Sequence, residues 1–117
     1  MIGMMTTIRR DFLDFVRVLF PEGRIVKPSN DSLFEASAEA IGIAVSDKCV
    51  DVFARVLAGK TPIYVERSYG LGQDSKVLYF AKLYESSDEF GDVFSNYIAE
   101  TESEDVNEFQ ANVRAWL

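Results

Sequence analysis

The chain has 117 residues, of which 48% are hydrophobic and 13% aromatic, so residues 1 to 117 read as a single domain with ample material for one core. It contains no histidine and a single cysteine, Cys49. That excludes Ser-His-Asp and Cys-His catalysis, imidazole-ligated and all-thiolate zinc, and an internal disulfide framework. A formal net charge of −7 lacks the basic footprint of a nucleic-acid binder.

From Ile8 to Phe20, apolar residues at helical spacing (Ile8, Phe12, Phe15, Val16, Leu19 and Phe20) predict an amphipathic helix that Pro21 and Gly23 stop. Met1 to Met5 read as a loosely ordered lead-in. No window resembles a cleavable signal, and the longest uncharged apolar run, residues 40 to 45, is far too short to cross a bilayer. The expectation is a soluble, cytoplasmic protein with no membrane partner.

Arg24 to Lys27 read as a short edge strand closed by Pro28, which cannot donate to a ladder. Ser32 and Glu35 have capping-box spacing and predict a short helix to Ile41, ended by Gly42. Ser46 predicts a second cap, with Val45 and Val50 placed as a hydrophobic staple, Val50, Phe53, Ala54 and Leu57 as the inward stripe, and Gly59 as the C-terminal cap. Cys49 stands beside that stripe as a small buried hydrophobe. Ile63 to Arg67 and Lys76 to Tyr84 predict two strands joined by SYGLGQDS, although Val77, Leu78, Ala81 and Tyr84 also fit one helix face. A hairpin loop needing positive φ at Gly70 or Gly72 accounts for the glycines, since no P-loop or complete dinucleotide fingerprint surrounds them.

The end of the chain shows two helical stripes: Phe90, Val93, Phe94, Tyr97 and Ile98, then Val106, Phe109, Val113 and Trp116. Ser86 with Glu89 and Thr101 with Glu104 supply capping boxes, so residues 86–117 read as an αα-hairpin turning near Glu102. The predicted fold class is therefore α+β: about five helices packed on a small, mostly antiparallel sheet of two or three strands.

Charge is distributed unevenly between the parts of the chain. Residues 1–84 hold ten acids and eleven bases, whereas residues 85–117 hold nine acids and Arg114 as the lone base. Glu85, Asp88, Glu89, Asp92, Glu100, Glu102, Glu104, Asp105 and Glu108 all lie off the apolar stripes, so they should be exposed together. Such a field repels phosphates and attracts basic protein surfaces. It also solubilises, and acids early in a helix favour the macrodipole, so the same residues fit a merely solvated face.

Three further constellations bear on chemistry. Glu85, Glu89 and Asp92 are spaced i, i+4, i+7 and would present oxygen ligands from one helix face, but no second converging set accompanies them. Asp74-Ser75-Lys76 has the Asp-x-Lys form of a nuclease fold without its upstream acid. Tyr64, Arg67, Tyr69, Lys76, Tyr79, Phe80, Lys82 and Tyr84 interleave aromatics with bases, as single-strand binders do, although Glu66, Asp74 and Glu85 cancel the charge.

In general character, a small, histidine-free, acidic domain without catalytic groups resembles phage or mobile-element inhibitors of host enzymes, anti-CRISPR proteins among them. That resemblance implies a non-enzymatic protein, with no cofactor or metal, that binds a basic partner which itself handles nucleic acid. The alternatives are a homodimeric assembly protein sealed by Phe20, Tyr97 and Trp116, and a carboxylate-dependent metal hydrolase.

Overall fold

Residues 2–26, 41–72, 75–85 and 96–117 are described by a computed structural model of the chain. Among them run helix α1 (Ile2–Leu19), strands β1 (Arg24–Val26), β2 (Gly42–Val45), β3 (Cys49–Ala58), β4 (Thr61–Gly70), β5 (Val77–Tyr84) and β6 (Tyr97–Ser103), and helix α2 (Val106–Arg114). β3, β4, β5 and β6 form an antiparallel meander, while β1 and β2 both pair with the far side of β3, β1 at residues 55–57 and β2 at residues 50–53.

This corrects the α+β expectation of five helices on two or three strands. The described residues form a six-stranded antiparallel sheet with two helices, a mostly β architecture. The largest departure lies over residues 46–58, where a strand stands in place of the expected helix. Val52, Ala54 and Val56 face the core at period two, while Phe53 and Leu57 on the opposite face also carry apolar side chains. Apolar residues on both faces of a strand blur its alternation, and four of them then coincide with a helical stripe.

Ser46 shows the same ambiguity at the level of hydrogen bonds. Its hydroxyl accepts the Lys48 and Cys49 amides at 3.2 and 3.1 Å. A helix N-cap uses those same i+2 and i+3 bonds, but here they close the β2–β3 turn. Gly59 is likewise a turn residue: with φ +67° it begins the two-residue Gly59-Lys60 loop of the β3–β4 hairpin, as a type II′ turn requires.

The strands expected at 24–27, 63–67 and 76–84 are present as β1, β4 and β5, and the helical alternative for 76–84 is overturned. α1 starts at Ile2, so residues 2–5 belong to the helix rather than to a loose lead-in. The predicted Ser32 helix and the Ser86 capping box fall outside the described residues.

One face of the sheet carries the core. Phe12, Leu13, Val16 and Leu19 of α1 cover the β2–β3 side, and Phe109 and Val113 of α2 cover the β5–β6 side. The two helices meet through Phe15, whose ring lies 6.3 Å from that of Phe109 and 5.4 Å from that of Tyr79. Arg67 projects into this layer from β4, its guanidinium 5.2–5.6 Å from the rings of Tyr69, Phe15 and Phe12, where the aromatic faces offset part of the cost of removing it from water. No polar or charged residue is fully buried among the described residues.

Candidate functional site

Six of the nine predicted acids lie in described residues, and all six are exposed: Glu85 just past β5, Glu100 and Glu102 on β6, Glu104 and Asp105 in the turn after it, and Glu108 in the first turn of α2. Asp88, Glu89 and Asp92 fall outside the described residues. The expected αα-hairpin over residues 86–117 is overturned by the strand at Tyr97–Ser103, and the acids ride on a strand followed by a nine-residue helix.

Several of these acids do local work. Asp105 is the N-cap of α2, accepting the amides of Asn107 and Glu108 at 2.9 and 3.4 Å. This moves the helix start past the Thr101–Glu104 box, because Thr101 remains in β6 and its Oγ1 accepts a bond from Asn112 Nδ2 at 3.0 Å. Glu108 accepts the Ser103 hydroxyl at 3.4 Å, and Glu104 lies 3.6 Å from Lys76 Nζ. Such an exposed ion pair contributes little to stability.

Glu100 and Glu102 are different, because they are strand residues on the face opposite the helices. Glu100 stands across from Lys82 and Glu102 across from Phe80. Lys82 Nζ sits 5.4 Å from the Tyr97 ring and 5.6 Å from the Phe80 ring, so one cation stands against two aromatic faces. Tyr97 and Ile98, expected on a buried helical stripe, are 52% and 60% exposed at the start of β6.

The same face holds a polar cluster that pattern reading missed. Tyr64 donates its hydroxyl to Glu66 Oε1 at 2.9 Å, and Ser68 donates to Asp51 at 2.5 Å. Partial burial pushes the Glu66 carboxyl up; the Tyr64 bond opposes this, nearby Asp51 and Glu102 reinforce it, and Lys82 opposes it. Tyr64 is pushed well above the ordinary phenol range, first by burial and then by its acidic partner. Both shifts favour the protonated forms, which suits a packed structural pair. The period of two was the available signal, since Tyr64, Glu66 and Ser68 alternate along β4.

The predicted aromatic and basic mixture is divided by the same alternation. Tyr64, Phe80, Lys82 and Tyr84 lie on one face, while Arg67, Tyr69 and Tyr79 lie on the other, against the helices. No continuous stacking platform results. Of the three aromatics expected at a subunit interface, Phe20 is buried in the chain's own core and Trp116 packs against it, which leaves Tyr97.

Cys49 opens β3 half-buried, its Sγ 3.6 Å from Ser46 Oγ, rather than beside a helical stripe. Gly72 has the expected positive φ, +141°, and Gly70 does not. Among the described residues no three His, Cys, Asp or Glu side chains converge as metal donors. A cleft of about 460 Å³ between the end of α1 and the β3–β4 turn is lined by Phe20, Pro21, Gly23, Ala58, Gly59 and Leu117, with Glu22 the one ionisable side chain among its described lining residues. No helix among the described residues is long and apolar enough to cross a membrane.

No family model matches the chain, and no curated protein or solved structure is significantly similar to it. The general likeness to mobile-element inhibitors gains no support from these comparisons.

Proposed function

We propose that this chain is a non-enzymatic, cytoplasmic interaction domain that binds a basic protein partner through the acids of β6 and α2. One observation carries this reading: Glu100, Glu102, Glu104, Asp105 and Glu108 are all exposed within a single strand-turn-helix segment, beside exposed Tyr97 and Ile98. Aromatic and apolar contacts next to a field of one sign are what a partner of opposite sign can use for both steering and burial.

The test separates place from total charge. Reversing Glu100, Glu102, Glu104 and Glu108 to lysine should lower affinity for a labelled oligolysine peptide far more than reversing Asp11, Asp14, Glu22 and Asp47, an exposed set that changes net charge equally. Asp105 is kept because it caps α2. Equal losses from the two sets, with unchanged circular dichroism, would reduce the segment to a contributor of net charge.

A further inference from the structure

We infer that the outer edge of β6 takes up an extended segment of a basic protein as an added β-strand, with lysine or arginine at every second position. This rests on the acidic-segment reading above and specifies how the partner binds.

The argument begins with the ladder. In a two-residue hairpin the residues flanking the loop exchange both backbone bonds, so Ala58 and Thr61 are a bonded pair and every second pair after them bonds as well. Odd residues of β4 thus bond to β3 and even residues to β5, which matches the bond from Gly70 N to Lys76 O at 2.9 Å. By the same count the odd residues of β5 bond to β6, which matches the bond from Glu85 N to Asn96 O at 2.8 Å. Their partners Ala99, Thr101 and Ser103 spend their amides on β5. The backbone N–H and C=O groups of Glu100 and Glu102 consequently point away from β5, along the side of the sheet where no described strand pairs with β6.

The residues whose backbone groups no described strand takes up are the ones whose carboxylates stand exposed on the outer face. A residue placed opposite Glu100 or Glu102 in an added strand shares that face, within about 5 Å between Cβ atoms, where an opposite charge stabilises and a like charge destabilises. The alternate positions would lie beside Ala99, Thr101 and Ser103, which are small and leave room for valine or threonine.

The same geometry rejects a second copy of this chain. An antiparallel pairing of two β6 edges that uses the outward groups of both glutamates sets glutamate against glutamate or against itself in every register. A charged edge of this kind is a recognised guard against edge-to-edge association, and it becomes a selector when the incoming strand carries the opposite sign.

The experiment uses the full chain and three capped heptapeptides, matched in length to the seven residues of β6. The first is Lys-Val-Lys-Thr-Lys-Val-Lys; the second has the same composition with its lysines in one block; the third is the first peptide N-methylated at alternate backbone amides. The expected result is that the alternating peptide binds about tenfold more tightly than the block peptide, and that each methylated edge-facing amide costs about fivefold, the net worth of one backbone hydrogen bond. At equal peptide concentration, amide resonances of residues 97–103 should move furthest with the first peptide. Equal binding of all three overturns strand addition while leaving the acidic-segment reading intact. Binding by none of them at low salt overturns both. A dimer seen by analytical ultracentrifugation and abolished by Glu102→Pro, which removes an outward amide without breaking the β5 ladder, would also overturn the inference by seating a second copy on the edge.

Discussion

Removing the Phe109 ring tests how α2 is held in place. The side chain is fully buried, 5.5 Å from the Tyr79 ring and 6.3 Å from that of Phe15, and with Val113 it forms the buried face of a nine-residue helix. A helix of that length is not stable in water on its own, so its order derives from docking. Phe109→Ala should cost about 3 kcal/mol, the lower end of the range for a buried phenylalanine, because α2 can settle partway into the vacated space. The single tryptophan, Trp116, packs against the core just beyond α2. Its fluorescence therefore reports the docking of α2, while far-ultraviolet circular dichroism reports secondary structure that lies mostly outside α2, in α1 and the sheet. In urea the Trp116 transition of the variant should precede the circular-dichroism transition, with α2 amides exchanging faster than those of β3 and β4. A loss under about 1 kcal/mol with unshifted Trp116 emission would refute the claim that Phe109 anchors the helix.

Asp105→Ala removes the acceptor for the Asn107 and Glu108 amides and should cost about 1 kcal/mol in a urea melt, whereas Asp105→Asn should retain most of it. Gly23→Ala would put a Cβ 2.8 Å from Phe20 Cβ and 2.9 Å from Val56 Cγ1; since neither can swing aside, a net loss of about 1–2 kcal/mol should follow, and an unchanged melting temperature would show that the α1–β1 turn yields. Folding raises the Glu66 pKa above its unfolded value, chiefly through burial, so the native state keeps a proton that the unfolded chain has lost. Stability from this group is fully present below the unfolded pKa of about 4.3 and is lost as pH rises through the folded value. Glu66→Gln still accepts the Tyr64 hydroxyl and should therefore melt higher than the parent at pH 7, an advantage that disappears near pH 4; a lower melting temperature at pH 7 would contradict this.

Where one structural solution fitted the residues, the sequence was legible. The α1 stripe, the β1 edge strand and the alternation in β4 lead directly to their elements, and the Val106, Phe109, Val113 and Trp116 stripe is the buried side of α2 and its extension. The failures occur where local chemistry serves two structures equally. Ser46 offers the same bonds to a helix N-cap and to a β-turn, and Val50, Phe53, Ala54 and Leu57 fit a helical stripe because β3 has apolar residues on both faces. Tyr97 and Ile98 extended a helical stripe that begins at Phe90, but their backbone pairs with β5. Pairing partners distant in sequence decided these positions, and local periodicity does not record them.

The correction to the C-terminal segment changes what its acids can do. On a helical hairpin, nine carboxylates would form a field with every backbone amide already bonded inside its helix, and recognition would depend on charge and side-chain packing alone. On β6 the charge arrives together with backbone groups that no described strand pairs. Glu100 and Glu102 each present a carboxylate to the outer face and an amide and carbonyl to the sheet edge, so charge and hydrogen bonding would address the same residue of a partner. Asp105 and Glu108, by contrast, are occupied in starting α2 and bonding Ser103. Substitutions should therefore divide the acids by consequence: at Asp105 the loss appears first in stability, and at Glu100 and Glu102 it appears first in binding and its dependence on salt.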